Sequence, residues 1–425
     1  MARRVQVPTE IPFSLVASFG PGQLRQGRQS DAIDGFVPRV VATPRGLDDV
    51  ATVVGAAREE RLAIVASGGG TQIDLGNRPR CLDVRLSLTG LTTVIERRPE
   101  DMTVTVDAGV TLARLNRALA ADRQRLAIDA ADPQRATIGG LLSANAVGGL
   151  MYGFGQPRDL VLGMTVVDGL GRTLRLGGRV VKNVAGYDLV RLFAGSHGTL
   201  GVITEATLRT HPLPEQARTF EFGFVRAVEV EAARAAVFAS ELPLAGFDVE
   251  VGHRYDETVW TLVARAEGTV SQVEYQSHRL AELCGRPART VGDAWTSPFH
   301  PRADETLVMK IGATPATLVA LADDIARGWA DDPRSLRLAG RIADGALRVS
   351  MASGGWESDL VTVALVRRAA ARHDARAVIE RIDPGAKERI DVWGEPPAGL
   401  ALMRRIKDRF DPDRVLAPER YVGGL

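Results

Sequence analysis

Three consecutive glycines, Gly68, Gly69 and Gly70, follow the apolar run Ala63-Ile64-Val65-Ala66 and Ser67, and lead into Thr71 and Gln72. The apolar run reads as a buried strand. Its end in three residues without Cβ lets the backbone take positive φ and aim successive N–H groups at one point, which is what a diphosphate cradle requires. A plain tight turn is the alternative for this segment alone. The loop is not of the Rossmann kind, because no GxGxxG falls where a strand feeds a helix.

The surrounding chain alternates strands, glycine loops and short helices. Val40 and Val41 read as a strand end. Leu47 to Arg61 has helical spacing in Leu47, Val50, Val53, Val54 and Ala57. A strand from Met102 to Asp107 precedes a helix from Leu112 to Ala121, and a hairpin from Met164 to Leu176 turns at Asp168-Gly169-Leu170-Gly171. Pro212-Leu213-Pro214-Glu215 then breaks the alternation and glycine becomes sparser, which places a domain boundary there.

Beyond it the order is strand from Phe220, helix Val228 to Ser240, strands Phe247 to Val251 and Val259 to Ala266, and helix Val270 to Cys284. That is the split β-α-β pattern of a ferredoxin-like unit. It repeats as strand Thr306 to Ile311, helix Leu318 to Gly328, strands Leu336 to Arg341 and Leu347 to Met351, helix Leu360 to His373 and strand Ala377 to Arg381. Two such units side by side in one sheet are expected. A basic helix from Leu400 to Phe410 closes at Asp411-Pro412 and is expected to return to the first domain.

Two further segments carry chemistry. In the first, DPQRATIGG (Asp132 to Gly140) runs into LLSANAVGG (Leu141 to Gly149). Thr137 can cap a short helix whose first N–H groups point outward, Gly139 and Gly140 leave room for a flat ring or a phosphate, and Asn145 with Gly148-Gly149 ends that helix. The second is GGRVVKNVAGYDL (Gly177 to Leu189) followed by RLFAGSHGTLGVITE (Arg191 to Glu205). In this order the three segments resemble the PCMH-type FAD-binding domain of the vanillyl-alcohol-oxidase superfamily, Lys182 to Leu208 being the most specific stretch. Within it the chain resembles the FAD-binding E subunit of glycolate oxidase, and Ile390 to Gly394 and Met403 to Arg414 extend that likeness to the C-terminal half. Ala417-Pro418-Glu419-Arg420 departs from the usual Asn-Pro-Gly-Arg ending.

The resemblance implies an α+β fold, a two-lobed FAD-binding domain (36–214) followed by a cap domain of two ferredoxin-like units (215–395). Residues 1–35 would be an extension, and 396–425 a segment returning to the FAD domain. It implies that Ser67, Gly68, Gly69, Gly70, Thr71 and Gln72 hold the FAD pyrophosphate. Ala136, Thr137, Ile138, Gly139, Gly140, Ser143, Asn145 and Gly148 would line the flavin and its ribityl chain, and Gly201, Val202 and Ile203 would give main-chain contacts. Gly70 stands where many relatives tether FAD through a histidine, so non-covalent FAD is expected.

Relatives that oxidise 2-hydroxy acids themselves carry a cap segment His-x-Gly-Asp-Gly-Asn-x-x-His whose imidazoles bind a metal. This chain has no such segment, and no metal site is expected. His253, His278, His300 and His373 stand singly and read as surface or structural residues. His197, in the flavin loop, is a candidate for catalysis that reads more readily as structural. Arg341 and Arg348 are candidates to clamp a carboxylate but stand among many arginines, and no base can be named.

Three functions remain open. In the first, the chain is an FAD-binding redox subunit of a glycolate oxidase-like complex, passing electrons from a small 2-hydroxy acid to an iron–sulfur partner, beside a second FAD-binding subunit. The others are a stand-alone FAD-dependent oxidase or dehydrogenase of a small hydroxy acid or alcohol, and a flavin-holding accessory protein. Any cluster would belong to a partner, because an iron–sulfur cluster takes more cysteines than Cys81 and Cys284. With 53 Lys and Arg against 52 Asp and Glu, a net charge of +1 provides no field for a polyanion, and nucleic acid is not an expected partner. No stretch has the apolar length of a membrane-spanning helix. The apolar start is broken by Pro8, Thr9, Glu10 and Pro12 and reads as mature chain. The cytoplasm is the expected address, with peripheral membrane association through partners left open.

Overall fold

The computed structural model describes residues 19–20, 22–178, 187–254, 257–329 and 336–425. Arg179 to Gly186, within the stretch that carries the resemblance, and residues 1–18 of the expected extension lie outside this range.

The first lobe has strands β1 Leu24–Gln26, β2 Val40–Ala42, β3 Ile64–Ser67 and β4 Val84–Ser87, in the order β1-β2-β4-β3. β2, β4 and β3 are parallel. Helix α1, Leu47–Glu59, crosses between β2 and β3 and buries Val50, Val53, Val54 and Ala57, the stripe its spacing predicts. It stops short of the expected Arg61, which takes a left-handed φ of 56°.

The second lobe is a five-stranded antiparallel sheet, β5 Val94–Arg98, β6 Thr103–Asp107, β8 Val161–Asp168, β9 Thr173–Gly177 and β10 Gly201–Arg209, ordered β5-β6-β10-β8-β9. Asp168 closes the β8–β9 hairpin, its Oδ1 accepting from the N–H groups of Leu170 and Arg172, each at 3.0 Å. Helices α2 Leu112–Ala120, α3 Ile138–Ala144, α4 Met151–Phe154, α5 Pro157–Leu160 and α6 Leu189–Phe193 surround it. The two-residue β7, Gln124–Arg125, pairs with β11, His211–Pro212, just before the Pro-rich break.

The rest is one eight-stranded antiparallel sheet made of β12 Gln216–Phe224, β13 Gly246–Arg254, β14 Glu257–Gly268, β15 Arg289–Gly292, β16 Leu307–Gly312, β17 Arg337–Arg341, β18 Ala346–Met351 and β19 Arg376–Arg381. Its order is β15-β12-β14-β13-β17-β18-β16-β19, so each half has the same internal order and the halves join through β13 and β17. Helices α7 Ala227–Ala239, α8 Val270–Cys284, α9 Leu318–Gly328 and α10 Trp356–Arg372 cover one face over a core that includes Phe220, Trp260, Leu307 and Met309.

After α11, Leu400–Phe410, the tail enters the core of the first lobes through Val415 and Leu416. The Val415 carbonyl accepts from Ile64 N–H at 2.7 Å. The fully buried Lys407 ammonium donates to Asp411 Oδ2 at 2.6 Å and to the carbonyls of Thr199 and Leu416, so its charge is paired and its hydrogens are satisfied.

Candidate functional site

Two connected spaces lie between these layers. The first is a groove of about 110 Å³ between the two small sheets, lined by Ser67 to Gln72, Thr137, Gly139, Gly140, Ser143, Gly201, Val202 and Ile203. The local chemistry explains its walls. Added Cβ atoms would come within 1.9 Å of Thr137 Oγ1 at Gly68 and within 1.7 Å of the Arg135 carbonyl oxygen at Gly69. Only glycine lets the two segments approach this closely. Gly70 turns the loop at φ 75°, with the guanidinium ends of Arg135 and Arg85 at 3.7 and 3.9 Å from its Cβ direction. The N–H groups of Gly68, Gly69, Gly70, Thr71 and Gln72 have no acceptor among the described residues. Free donors flanked by two cations fit a diphosphate.

Opposite, Thr137 caps α3 by accepting from Gly140 N–H at 3.3 Å, and Asn145 ends it in the left-handed conformation, φ 43°. Asn145 is held there by Gln156 and by the N–H of Arg158. Most residues assigned to the cofactor from sequence thus meet in one groove. Ala136 and Asn145 instead line the second space, whereas Ile138 and Gly148 line neither. Ile138 is buried in the core, and Gly148 backs onto the Asp129 carboxylate, which a Cβ there would overlap.

The second space is a cavity of about 380 Å³ under the uncovered face of the large sheet, sharing Thr71, Gln72, Leu75, Ala144 and His197 with the groove. Opposed residues of an antiparallel ladder share a face. Arg348 and Val378 both oppose Lys310, and Asp248 opposes Arg341, so these side chains turn toward this side. Arg341 and Arg348, which sequence alone cannot single out, both line the cavity. Their guanidiniums lie 4.3 and 4.1 Å from the centroid of the buried Phe299 ring. Both are also paired with a carboxylate. Arg341 pairs with Asp344 and donates to the Val147 carbonyl at 2.7 Å, while Arg348 pairs with Glu380 and donates to the Phe299 carbonyl.

Asp129 forms the floor, accepting from Gly149 and Leu150 N–H, Trp295 Nε1 and His300 Nε2 at 3.0 to 3.2 Å. Burial alone would push its carboxyl up, but these donors, His300 first, hold it below the usual range. Behind Gly149 lies Asp248, 1% exposed, which accepts from Ser297 Oγ at 2.5 Å and leaves Oδ1 without a partner among the described residues. Burial, only partly offset by Ser297 and reinforced by Asp129, pushes it up to about 7.

His197 stands where groove and cavity join, its ring 5.3 Å from Trp393 and 5.4 Å from Tyr421. Burial, with Lys310 and Arg420 adding to it, lowers its pKa to about 4, so its imidazole is neutral near neutral pH. Arg420, which lines the groove, donates to the carbonyls of Ile73 and Leu75 and shares Asp34 with Lys387, tying the tail to the loop beyond the glycines. Sequence reasoning missed Lys310, Asp129, Phe299, Glu380, Trp393 and Arg420, and read His300 as structural. No local signal marks any of them, because Lys310 and Glu380 lie on strands and the others on loops, and only the packing of distant segments brings them together. Among the described residues no group of three or more His, Cys, Asp or Glu is placed to hold a metal, and no helix is long and apolar enough to cross a membrane.

Two lobes enclosing a glycine-walled groove that opens under a cap sheet define an FAD-binding oxidoreductase. Residues 38–177 match the family described as the FAD binding domain. The chain is 37% identical over 185 residues to glycolate oxidase subunit GlcD of Bacillus subtilis strain 168, a match covering 43% of this chain and 39% of that protein. It is 30% identical over 224 residues to glycolate oxidase subunit GlcE of Escherichia coli K12, covering 51% and 60%. To D-2-hydroxyglutarate dehydrogenase of Xanthomonas citri pv. viticola it is 29% identical over 426 residues, covering 90% and 88%. The solved structure of an alkyldihydroxyacetonephosphate synthase shares the fold, with a TM-score of 0.73 at 16% identity over 97% of this chain and 85% of that one. The chain is an FAD-dependent oxidoreductase related to glycolate oxidase subunits and 2-hydroxy acid dehydrogenases.

Proposed function

We propose that this chain is the FAD-bearing subunit of a complex that oxidises a small 2-hydroxy acid and passes the electrons to an iron–sulfur partner. The observation that carries this reading is the cavity itself: the cofactor groove opens into a cavity whose cap wall bears Lys310, Arg341 and Arg348. Cations over a cofactor site suit a substrate with a carboxylate. A flavin-holding accessory role has no use for such a space.

In this reading Ser67 to Gln72 hold the FAD pyrophosphate, with Arg85 and Arg135 nearby. Ala136 to Gly140, Ser143, Asn145 and Gly148 form the flavin wall, and Gly201, Val202 and Ile203 back the cofactor with main chain. Bound FAD supplies an acceptor for a hydride. The protein's own part is to orient the acid between Phe299, His197 and the cap cations and to exclude water. With Gly70 in the pyrophosphate loop, the cofactor is held without a covalent bond. We assign 36–214 to the FAD domain, 215–395 to a cap of two ferredoxin-like units, 396–425 to the returning segment and 1–35 to an extension. An iron–sulfur subunit and a second FAD-binding subunit complete the complex, a reading supported by the likeness to two proteins whose names call them subunits. The nearly full-length likeness to D-2-hydroxyglutarate dehydrogenase favours a second reading, a stand-alone dehydrogenase.

The test is anaerobic addition of glycolate, D-lactate and D-2-hydroxyglutarate to the purified chain, followed by an artificial electron acceptor. Flavin bleaching with slow or no turnover supports the subunit reading. Full turnover by the chain alone supports the second, and no bleaching by any acid removes both. Acid precipitation that leaves yellow flavin in the supernatant identifies the non-covalent cofactor.

A further inference from the structure

An acid oxidised by loss of hydride must also lose its hydroxyl proton, and most cavity groups that titrate are already engaged. Asp129 accepts four hydrogen bonds. Glu380 is committed to Arg348, and His300 gives Nε2 to Asp129 and keeps Nδ1 without a partner among the described residues. The side chains of Asp74 and Asp132 are 55% and 42% accessible and lie beside Arg381 and Arg135. His197 is packed between Trp393 and Tyr421, and an imidazole whose conjugate acid titrates at about 4 is a weak acceptor.

Lys310 remains. Its Nζ donates to no acceptor among the described residues, and its nearest anion, Glu380, is 3.8 Å away and already bound to Arg348. The side chain is 43% accessible because it faces the cavity rather than packing. The strand sets its direction: Leu307, Met309 and Ile311 of β16 enter the core, so Lys310 between them must point the other way.

We propose that Lys310 is the catalytic base of this cavity, its neutral amine taking the hydroxyl proton of the hydroxy acid. The step rests on the hydroxy acid reading above and balances as follows. The C–H bond breaks and its electron pair leaves as hydride for the oxidant, bound FAD. The O–H bond breaks, its proton goes to Lys310 Nζ, and the C–O bond becomes the carbonyl of a 2-oxo acid. Lys310 then returns the proton to solvent. The surroundings favour the neutral amine: burial lowers the ammonium's pKa, Glu380 opposes this, and Arg341 and Arg348 add to the lowering.

Two measurements on the FAD-loaded protein test this. Competitive acetylation across a pH series, read by mass spectrometry of the peptide bearing residue 310, should show Lys310 reactive at lower pH than a free lysine side chain, supplied by Nα-acetyl-lysine amide as internal standard. Anaerobic stopped-flow reduction should show a rate rising with pH through the same value in the wild type. Lys310→Met should lower that rate about a hundredfold or more and remove the acid limb, while retaining FAD. Lys310→Arg, permanently charged, should not restore it. The proposal is overturned if Lys310 labels like the free lysine standard, or if Lys310→Met is reduced within tenfold of wild type with its acid limb intact. If no hydroxy acid reduces the wild type, the substrate reading fails first and the base fails with it. Equal reduction of wild type and variant defeats the base alone.

Discussion

Asp248 offers a quantitative check on how the cap meets the flavin lobes. Its carboxyl is 1% exposed, has one donor in Ser297 Oγ, and lies against Gly149, where an added Cβ would come within 2.3 Å of Oδ2. Burial raises it from 3.8 to about 7. A raised folded value means the native protein keeps a proton that the unfolded chain has released. The contribution to stability is therefore full below the unfolded value and is lost as pH rises through about 7. Between about pH 5 and about pH 7 the unfolded carboxyl is already ionised, so the loss is about 1.4 kcal/mol per pH unit, or about 3 kcal/mol in all. Asp248→Asn keeps an acceptor for Ser297 and cannot titrate. Urea unfolding followed by tryptophan fluorescence at about pH 5 and about pH 8 should show the variant gaining about 3 kcal/mol on the wild type at the higher pH. A gap between the two proteins that is the same at both pH values would refute the assignment of a buried, protonated Asp248.

Further outcomes follow from other contacts. Gly69→Ala would place a Cβ 1.7 Å from the Arg135 carbonyl oxygen, so the protein should purify without yellow flavin at an overpacking cost of about 1–3 kcal/mol, whereas Gly223→Ala, with open space around it, should keep its colour. Asp34→Asn removes the anion shared by the buried Lys387 and Arg420, and should cost about 3–5 kcal/mol in unfolding free energy and speed FAD loss into a flavin-free buffer. Glu419 stands at φ 64° with only a 3.6 Å exposed contact to Arg80, so Glu419→Gly should stabilise by about 1 kcal/mol, seen as a higher thermal midpoint.

The glycine loops and cap strands were legible because their signals are local. Three glycines after a buried strand, a Thr cap before Gly139-Gly140, and the alternation of Leu307, Met309 and Ile311 depend on neighbours within a few residues. β15 escaped notice because Arg289–Gly292 is exposed and has no alternation to read. The polar wall escaped for a different reason. Lys310, Arg348 and Glu380 occupy the outward positions of half-buried strands, where charged residues ordinarily face water. Packing over the groove changes their meaning, and that is a contact between distant segments: His300 reaches Asp129 across 171 residues. Within the legible loops, Ile138 is also buried in the core and Gly148 also leaves room for Asp129.

The two walls of the site are therefore built on different terms. The groove presents backbone, and side-chain changes there act mainly by obstruction. The cavity presents side chains whose direction is set by strand register. Val378, Lys310 and Arg348 form one row across β19, β16 and β18 because each opposes the next in the ladder. A one-residue slip of β16 would turn Met309 into the cavity and Lys310 into the helix-covered core. The apolar residues that hold the cap together thus also determine which charges meet the ligand. A core substitution such as Ile311→Ala, which opens a cavity on the far face of β16, should loosen the position of Lys310 and reduce turnover even where the fold and the bound FAD persist.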